Sequence, residues 1–318
     1  MKLSAADCLR RGWTNLSANW ELVVIQWLGS LLVAALLALG LVLALLALGM
    51  DAMRAGQWTT REIEEALRRM AGSSPALLLA LTALVAVWLL TLLLHSFFQA
   101  GTYGVLAAAD RQALPGGRRH RLLFRTFSLR DFLGWGGLYV WRFFGMLVLC
   151  GGLALAVGVA ILLWLTFLGV GGVQWGVLAA LGIGCGGALP LGFLLLVFGL
   201  WFHVAQADLA RQGAGVRTSA RLGLSVLGRR LGAVTVLAVL FCGAVVLLAV
   251  LFFPLSALTG SLLSGAPELR AFVQVLLLFL QALPSTLLAM GLAGSLVALV
   301  GSERRSEMRR RSLEVQAA

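Results

Sequence analysis

Apolar positions fall into six long runs separated by short polar stretches: 22–49, 76–109, 134–165, 174–207, 231–258 and 271–301. A membrane helix needs roughly 20 mostly apolar residues to cross about 30 Å of hydrocarbon, so each run is long enough to span. Several exceed a straight crossing, which predicts tilt or helices that continue beyond the bilayer. The expected fold class is all-α, a polytopic membrane helix bundle forming one domain over 1–303, followed by a basic tail over 304–318. The run from Leu22 to Met50 is about twice the length of a signal-peptide core, and this predicts a retained helix.

Three stretches between the runs carry helical amphipathicity. In the first, Leu9, Trp13, Leu16 and Trp20 share one face, with Arg10, Arg11, Asn15 and Asn19 off it, and Ser4 with Asp7 forms a capping-box pattern. In the third, Val216, Ala220, Leu224, Leu227 and Leu231 share a face flanked by Arg217, Arg221 and Arg229. The second, from Arg121 to Leu133, is rich in Phe and Arg but less regular, and Ser128 with Asp131 predicts the cap of a helix that runs straight into the third span. Such helices suit the headgroup layer, where an arginine stem packs on hydrocarbon and its guanidinium meets phosphate. Connector helices packed on the bundle would need the same stripes.

Each stretch with the two runs after it forms a unit, predicting three tandem hairpin units over about 4–110, 111–210 and 211–303. At an offset of 98, Asp110 falls on Asp208, Leu129 on Leu227, Leu133 on Leu231, Gly134 on Gly232 and Gly145 on Gly243. Units of one orientation differ from the inverted repeats common in secondary transporters. The loop from Met50 to Ser74 is the one sizeable segment on the other side, with a helical pattern from Thr60 to Met70.

Composition agrees with a membrane solvent: 60% of the residues are hydrophobic and 12% charged. The net charge of +12 suggests nucleic acid, but its placement argues against that, because the arginines lie scattered in short loops with no recognition module. Nineteen basic residues flank the termini and the even-numbered loops, against five in the opposite loops. By the positive-inside rule both termini are cytoplasmic, in a bacterial inner membrane. The arginines of the amphipathic stretches, Arg10, Arg11, Arg121, Arg125, Arg217, Arg221, Arg229 and Arg230, are the candidates for lipid headgroups, with anionic lipid the expected partner.

Catalytic and metal-binding patterns are absent from the sequence. His95, His120 and His203 have no metal-ligand spacing, Lys2 is the single lysine, and no phosphate-binding glycine loop occurs. Cys8, Cys150, Cys185 and Cys242 predict no disulfide. No cofactor is expected. Polar groups at membrane depth are the remaining candidates: His95, Gln99, Arg142, His203, Gln206, Gln274 and Gln281. Arg142 sits about two turns inside its span, within snorkelling reach of the headgroups; the sharper alternative pairs it with Asp110 or Asp208. The histidines are expected to donate to carbonyls of neighbouring helices. Glycines at small-xxx-small spacing, Gly172 with Gly176 and Gly182 with Gly186, predict close packing. Pro190 and Pro284 predict kinks or local unwinding that can line a cavity.

The opener "SAADCLRRGWTNLSANWELVV", the comparable "VRTSARLGLSVLGRRLGAVTVL" and the three-hairpin layout resemble the six-helix membrane domain fused to some bacterial glycerophosphoryl diester phosphodiesterases and its stand-alone relatives. The catalytic barrel of those fused enzymes is not in this chain, so the resemblance implies a membrane module accessory to lipid or envelope processes and carries over no catalytic residue. The expected function is a non-enzymatic scaffold or accessory protein that engages anionic lipid or a membrane partner; an oligomer is compatible with this. The alternative is a transporter or flippase-like protein with a cavity near Pro190, Pro284, His95 and Gln281. A lipid-modifying enzyme would have only Asp110, Asp131 and Asp208 to work with.

Overall fold

The computed structural model describes residues 3–47, 61, 74–113, 121–175, 195, 197–263 and 265–317. Among them the secondary structure is entirely helical. A short helix α1 (Ala5–Ala18) leads into α2 (Glu21–Ala47), and α3 (Ser74–Gln112) follows. After a 3-10 turn (Arg121–Phe124) come α4 (Leu129–Trp175), a helix over 197–212 (α5) and a short α6 (Val216–Arg229). The chain ends in α7 (Leu231–Leu262) and α8 (Pro267–Ala317).

Among the described residues, five segments are long and apolar enough to cross a membrane: Glu21–Leu43, Leu81–Gln112, Leu129–Trp164, Leu231–Leu262 and Glu268–Met308. The chain is thus a polytopic membrane protein. The expected span over 174–207 lies largely outside the described residues, as do Gly176, Gly182, Gly186, Pro190, Cys185, His120 and nearly all of the loop with its helical pattern. At 1.5 Å per residue, the 51-residue α8 extends far past a bilayer core. The helix continues without a break from the last span through the basic stretch over 304–317.

Both predicted caps are present. The amide of Asp7 donates to Ser4 Oγ at 3.1 Å and that of Asp131 to Ser128 Oγ at 3.0 Å, so the second connector has no independent amphipathic helix and α4 runs on into its span. Helix α8 stays helical through Pro284 rather than unwinding. Hydroxyl bonds from Ser285 to Gln281 O and from Thr286 to Ala282 O, each 2.8 Å, hold carbonyls around the proline.

The buried core sits at the arginine-rich end, where Tyr103, Phe132, Phe143, Met146, Leu209, Leu237 and Leu296 are enclosed. Away from it, Leu155, Leu163, Leu247, Phe253 and Leu278 face outward. Water would penalise so continuous an apolar surface; lipid does not.

Small residues set the helix contacts at the packed end. A Cβ on Gly12 would lie 2.4 Å from the backbone nitrogen of Ser295, so α1 crosses α8 at backbone contact. Phe132 and Trp135 of α4 fill the space left by Gly101 and Gly104 of α3. Against α5, Gly223 of α6 meets Ala205, and Trp201 Nε1 donates to Ala220 O at 2.9 Å.

The expected faces of the short helices hold in part: Leu16, Ala220 and Leu227 are buried and Leu9, Trp13 and Val216 pack against the core, whereas Trp20, Leu224 and Leu231 are exposed. In α1 the buried positions are Cys8, Gly12, Asn15, Leu16 and Ala18, and Trp20 is exposed; in α6 they are Ser219, Ala220, Gly223, Val226 and Leu227, with Leu224 exposed. Helices that approach this closely need small side chains where their backbones meet, so Gly12 and Gly223 take the crossing points and larger apolar residues such as Leu16 and Leu227 pack around them.

Candidate functional site

The polar end is organised by three buried carboxylates on three helices: Asp110 near the end of α3, Asp208 in the last turns of α5 and Glu303 within α8. Arg11 donates from Nε to Asp110 Oδ1 at 2.5 Å and from Nη2 to the carbonyls of Asp110 and Ala113 at 3.1 and 2.8 Å. Arg211 Nη1 donates to Asp110 Oδ2 at 2.6 Å, and Arg305 Nη1 lies 3.6 Å from the same oxygen. One carboxylate thereby ties α1, α3, α5 and α8 together.

Asp208 Oδ1 accepts from Arg304 Nη2 at 2.9 Å and from Gln212 Nε2 at 2.8 Å. Arg304 also donates to Glu307 at 3.1 Å, and Glu307 accepts from Arg229. Arg230 donates to Leu3 O and lies 3.7 Å from Glu303. Burying charge is costly, and only several good hydrogen bonds per carboxylate offset the desolvation.

Asn15 and Asn19, expected off the contact face, are buried and bonded. Asn15 Nδ2 donates to Leu106 O at 2.9 Å. Asn19 Nδ2 donates to Phe124 O at 2.7 Å, while its Oδ1 accepts from the amides of Thr126 and Phe127 at 3.0 and 2.9 Å. A buried amide with every group bonded fixes the 3-10 turn and the start of α4 onto α1.

The headgroup candidates divide into two sets. Arg10, Arg125, Arg217, Arg221 and Arg229 are exposed, whereas Arg11 and Arg230 turn inward into the ion pairs. Arg121 opens the 3-10 turn. Arg142 pairs with neither Asp110, which is held by Arg11 and Arg211, nor Asp208, whose arginine partner is Arg304. It donates to the carbonyl of Gly213 and lies 5.5 Å over the Tyr139 ring. Gly213 ends α5 at φ 62°, a left-handed turn that leaves its carbonyl for this bond.

Among the membrane-depth candidates, His203 Nδ1 lies 3.1 Å from the Tyr103 hydroxyl, a side chain and not the carbonyl expected. Gln206 is buried, and His95, Gln99 and Gln281 are half-buried. Thr102 Oγ1 donates to Gln26 Oε1 at 3.1 Å, a buried polar contact that the sequence did not single out.

Two hollows stand out. One, of about 400 Å³, lies at the polar end among Arg111, Arg211, Gln212, Arg304, Glu307 and Met308. The other is an apolar groove of about 310 Å³ between α2 and α3, lined by Leu37, Gly40, Leu84, Val85, Val87 and Trp88. Neither is lined by His95, Gln281 or Pro284. Among the described residues no group of three His, Cys, Asp or Glu side chains is placed to hold a metal.

Cys8 is enclosed beside this network, and burial above all pushes its thiol up to about 12. At pH 8 roughly one thiol in ten thousand would then be thiolate. A variant with Cys150, Cys185 and Cys242 changed to Ser should resist maleimide in mild detergent at pH 8 and label fully once denatured. Rapid native labelling would show that this face of α1 is not packed against the rest of the molecule.

The chain matches no protein-family model, no curated protein and no solved structure.

Proposed function

We propose that this chain is a bacterial inner-membrane protein of six spans in three tandem hairpin units, with both termini cytoplasmic, that holds anionic lipid at its rim as a non-enzymatic scaffold or accessory protein. The observation that carries the lipid reading is the outward exposure of Arg10, Arg217 and Arg221 on α1 and α6, the two short helices beside the polar end, with Trp20 and Leu224 exposed near them. An arginine beside an outward apolar side chain can engage a phosphate and hydrocarbon together.

The tandem reading is supported by α1 and α6. Both have 14 residues, and at an offset of 211 four of the five buried positions of each coincide: Cys8 with Ser219, Gly12 with Gly223, Asn15 with Val226, Leu16 with Leu227. Each packs closely on another helix, α6 on α5 and α1 on α8. The resemblance to the membrane domain of the phosphodiesterases extends the proposal to an accessory role in lipid or envelope processes.

The test is native mass spectrometry of the full chain extracted with its lipids. Phosphatidylglycerol or cardiolipin should remain bound to the wild type. In the variant carrying Arg10→Gln, Arg217→Gln and Arg221→Gln it should be held on the order of a hundredfold more weakly, since each basic residue contributes about 1 kcal/mol at an anionic surface. Equal retention of anionic and zwitterionic lipid by both proteins would sink the proposal.

A further inference from the structure

The hollow at the polar end has walls from three separate helices: Arg111 from α3, Arg211 and Gln212 from α5, and Arg304, Glu307 and Met308 from α8. We infer that it is a binding site for a phosphate group, carried either by a small soluble phosphomonoester or by a lipid headgroup. This goes beyond the rim reading and uses none of the outward arginines of α1 and α6.

Each of the three guanidinium groups is held by a partner that is not a ligand. Arg211 is fixed by Asp110, and a Cβ on Gly301 would lie 2.5 Å from its Cζ, so the glycine leaves the room this side chain occupies. Arg304 is fixed by Asp208 and Glu307. Arg111 donates from Nη1 to Arg211 O at 2.8 Å and lies 5.8 Å over the Trp135 ring, and it takes no part in the carboxylate pairs described above.

A guanidinium carries five N–H donors, and these bonds occupy only some of them on Arg111 and Arg211. Planar forks already held in place and supplied from several directions suit the oxygens of a phosphate, because little side-chain freedom is lost on binding. Glu307 is the one carboxylate in the wall, and it is engaged by Arg229 and Arg304. A volume of about 400 Å³ falls in the range of small-ligand sites.

The full chain in detergent would be titrated calorimetrically with inorganic phosphate and with glycerol 3-phosphate at constant ionic strength. In parallel, it would be released from phosphatidylglycerol or phosphatidylcholine nanodiscs into a native mass spectrometer. Arg111→Gln is the first variant, because its side chain is exposed and outside the carboxylate network; Gln212→Ala is the second. Saturable binding of either soluble phosphate, weakened about tenfold or more by Arg111→Gln, supports the site with a soluble ligand. No soluble binding, with one tightly held phospholipid lost in Arg111→Gln but kept when Arg10, Arg217 and Arg221 are neutralised, supports it with a headgroup. Absence of both kinds of binding, or binding that neither variant changes, overturns it.

Discussion

In the Asp110→Asn variant the folded chain loses about 3–5 kcal/mol of stability, the usual cost of breaking a buried ion pair from one side. The substitution keeps the shape of the side chain but leaves Arg11, Arg211 and Arg305 facing one another without the charge that holds them. Arg211 suffers most, being 9% exposed and so nearly cut off from water. Adding Arg211→Gln to Asp110→Asn should therefore restore part of the loss, since it removes one of the stranded cations. Thermal unfolding of the purified chain in one mild detergent measures both variants. A loss below about 1 kcal/mol for Asp110→Asn would mean that the carboxylate is not the clamp between α1, α3, α5 and α8.

Gly12→Leu should have an effect of similar size, about 3 kcal/mol or more, for a steric reason. The first atom of any side chain at this position meets backbone: 2.4 Å from Ser295 N and 2.7 Å from its Cα. A flexible tip can swing aside, but a helix backbone inside a packed end cannot, so α1 must lift from α8 and carry the hydrogen bonds of Arg11, Asn15 and Asn19 with it. Gly134→Ala makes the contrast. Nothing lies within 4 Å of a Cβ there, so it should stabilise α4 by about 0.5–1 kcal/mol through helix propensity alone. Equal melting temperatures for wild type and Gly12→Leu would show that α1 does not make this contact in solution.

The long helices were legible because run length in an apolar sequence is a direct consequence of bilayer thickness. The caps at Ser4 and Ser128 were legible too, since a serine three residues before an acid satisfies amides locally. The inward faces of α1 and α6 were legible only in part. A search for apolar stripes finds Leu16, Ala220 and Leu227, which are buried, but also selects Trp20 and Leu224, which are exposed, and it passes over Gly12, Gly223, Cys8 and Ser219, whose small size lets the helices approach. Asp110 and Asp208 stood out as acids near helix ends, yet their partners did not. Arg11 and Arg211 lie about a hundred residues from Asp110 in opposite directions, and no local spacing rule links them. For Arg142, the pairing with Asp110 or Asp208 that stood beside snorkelling does not form, and the carbonyl at the left-handed turn of Gly213 is its acceptor.

The contact between α1 and α8 also orders events during synthesis. Helix α1 leaves the ribosome first, but the surface that covers Gly12, and the Arg305 that completes the shell around Asp110, belong to α8. At about 5–20 residues per second the wait between them is on the order of tens of seconds. Throughout that interval the opening helix has Arg11 and two amides to satisfy and no final place to dock. Helix α8 therefore acts as a seal: until it is in place, α1 has no backbone to rest Gly12 against and stays unlatched.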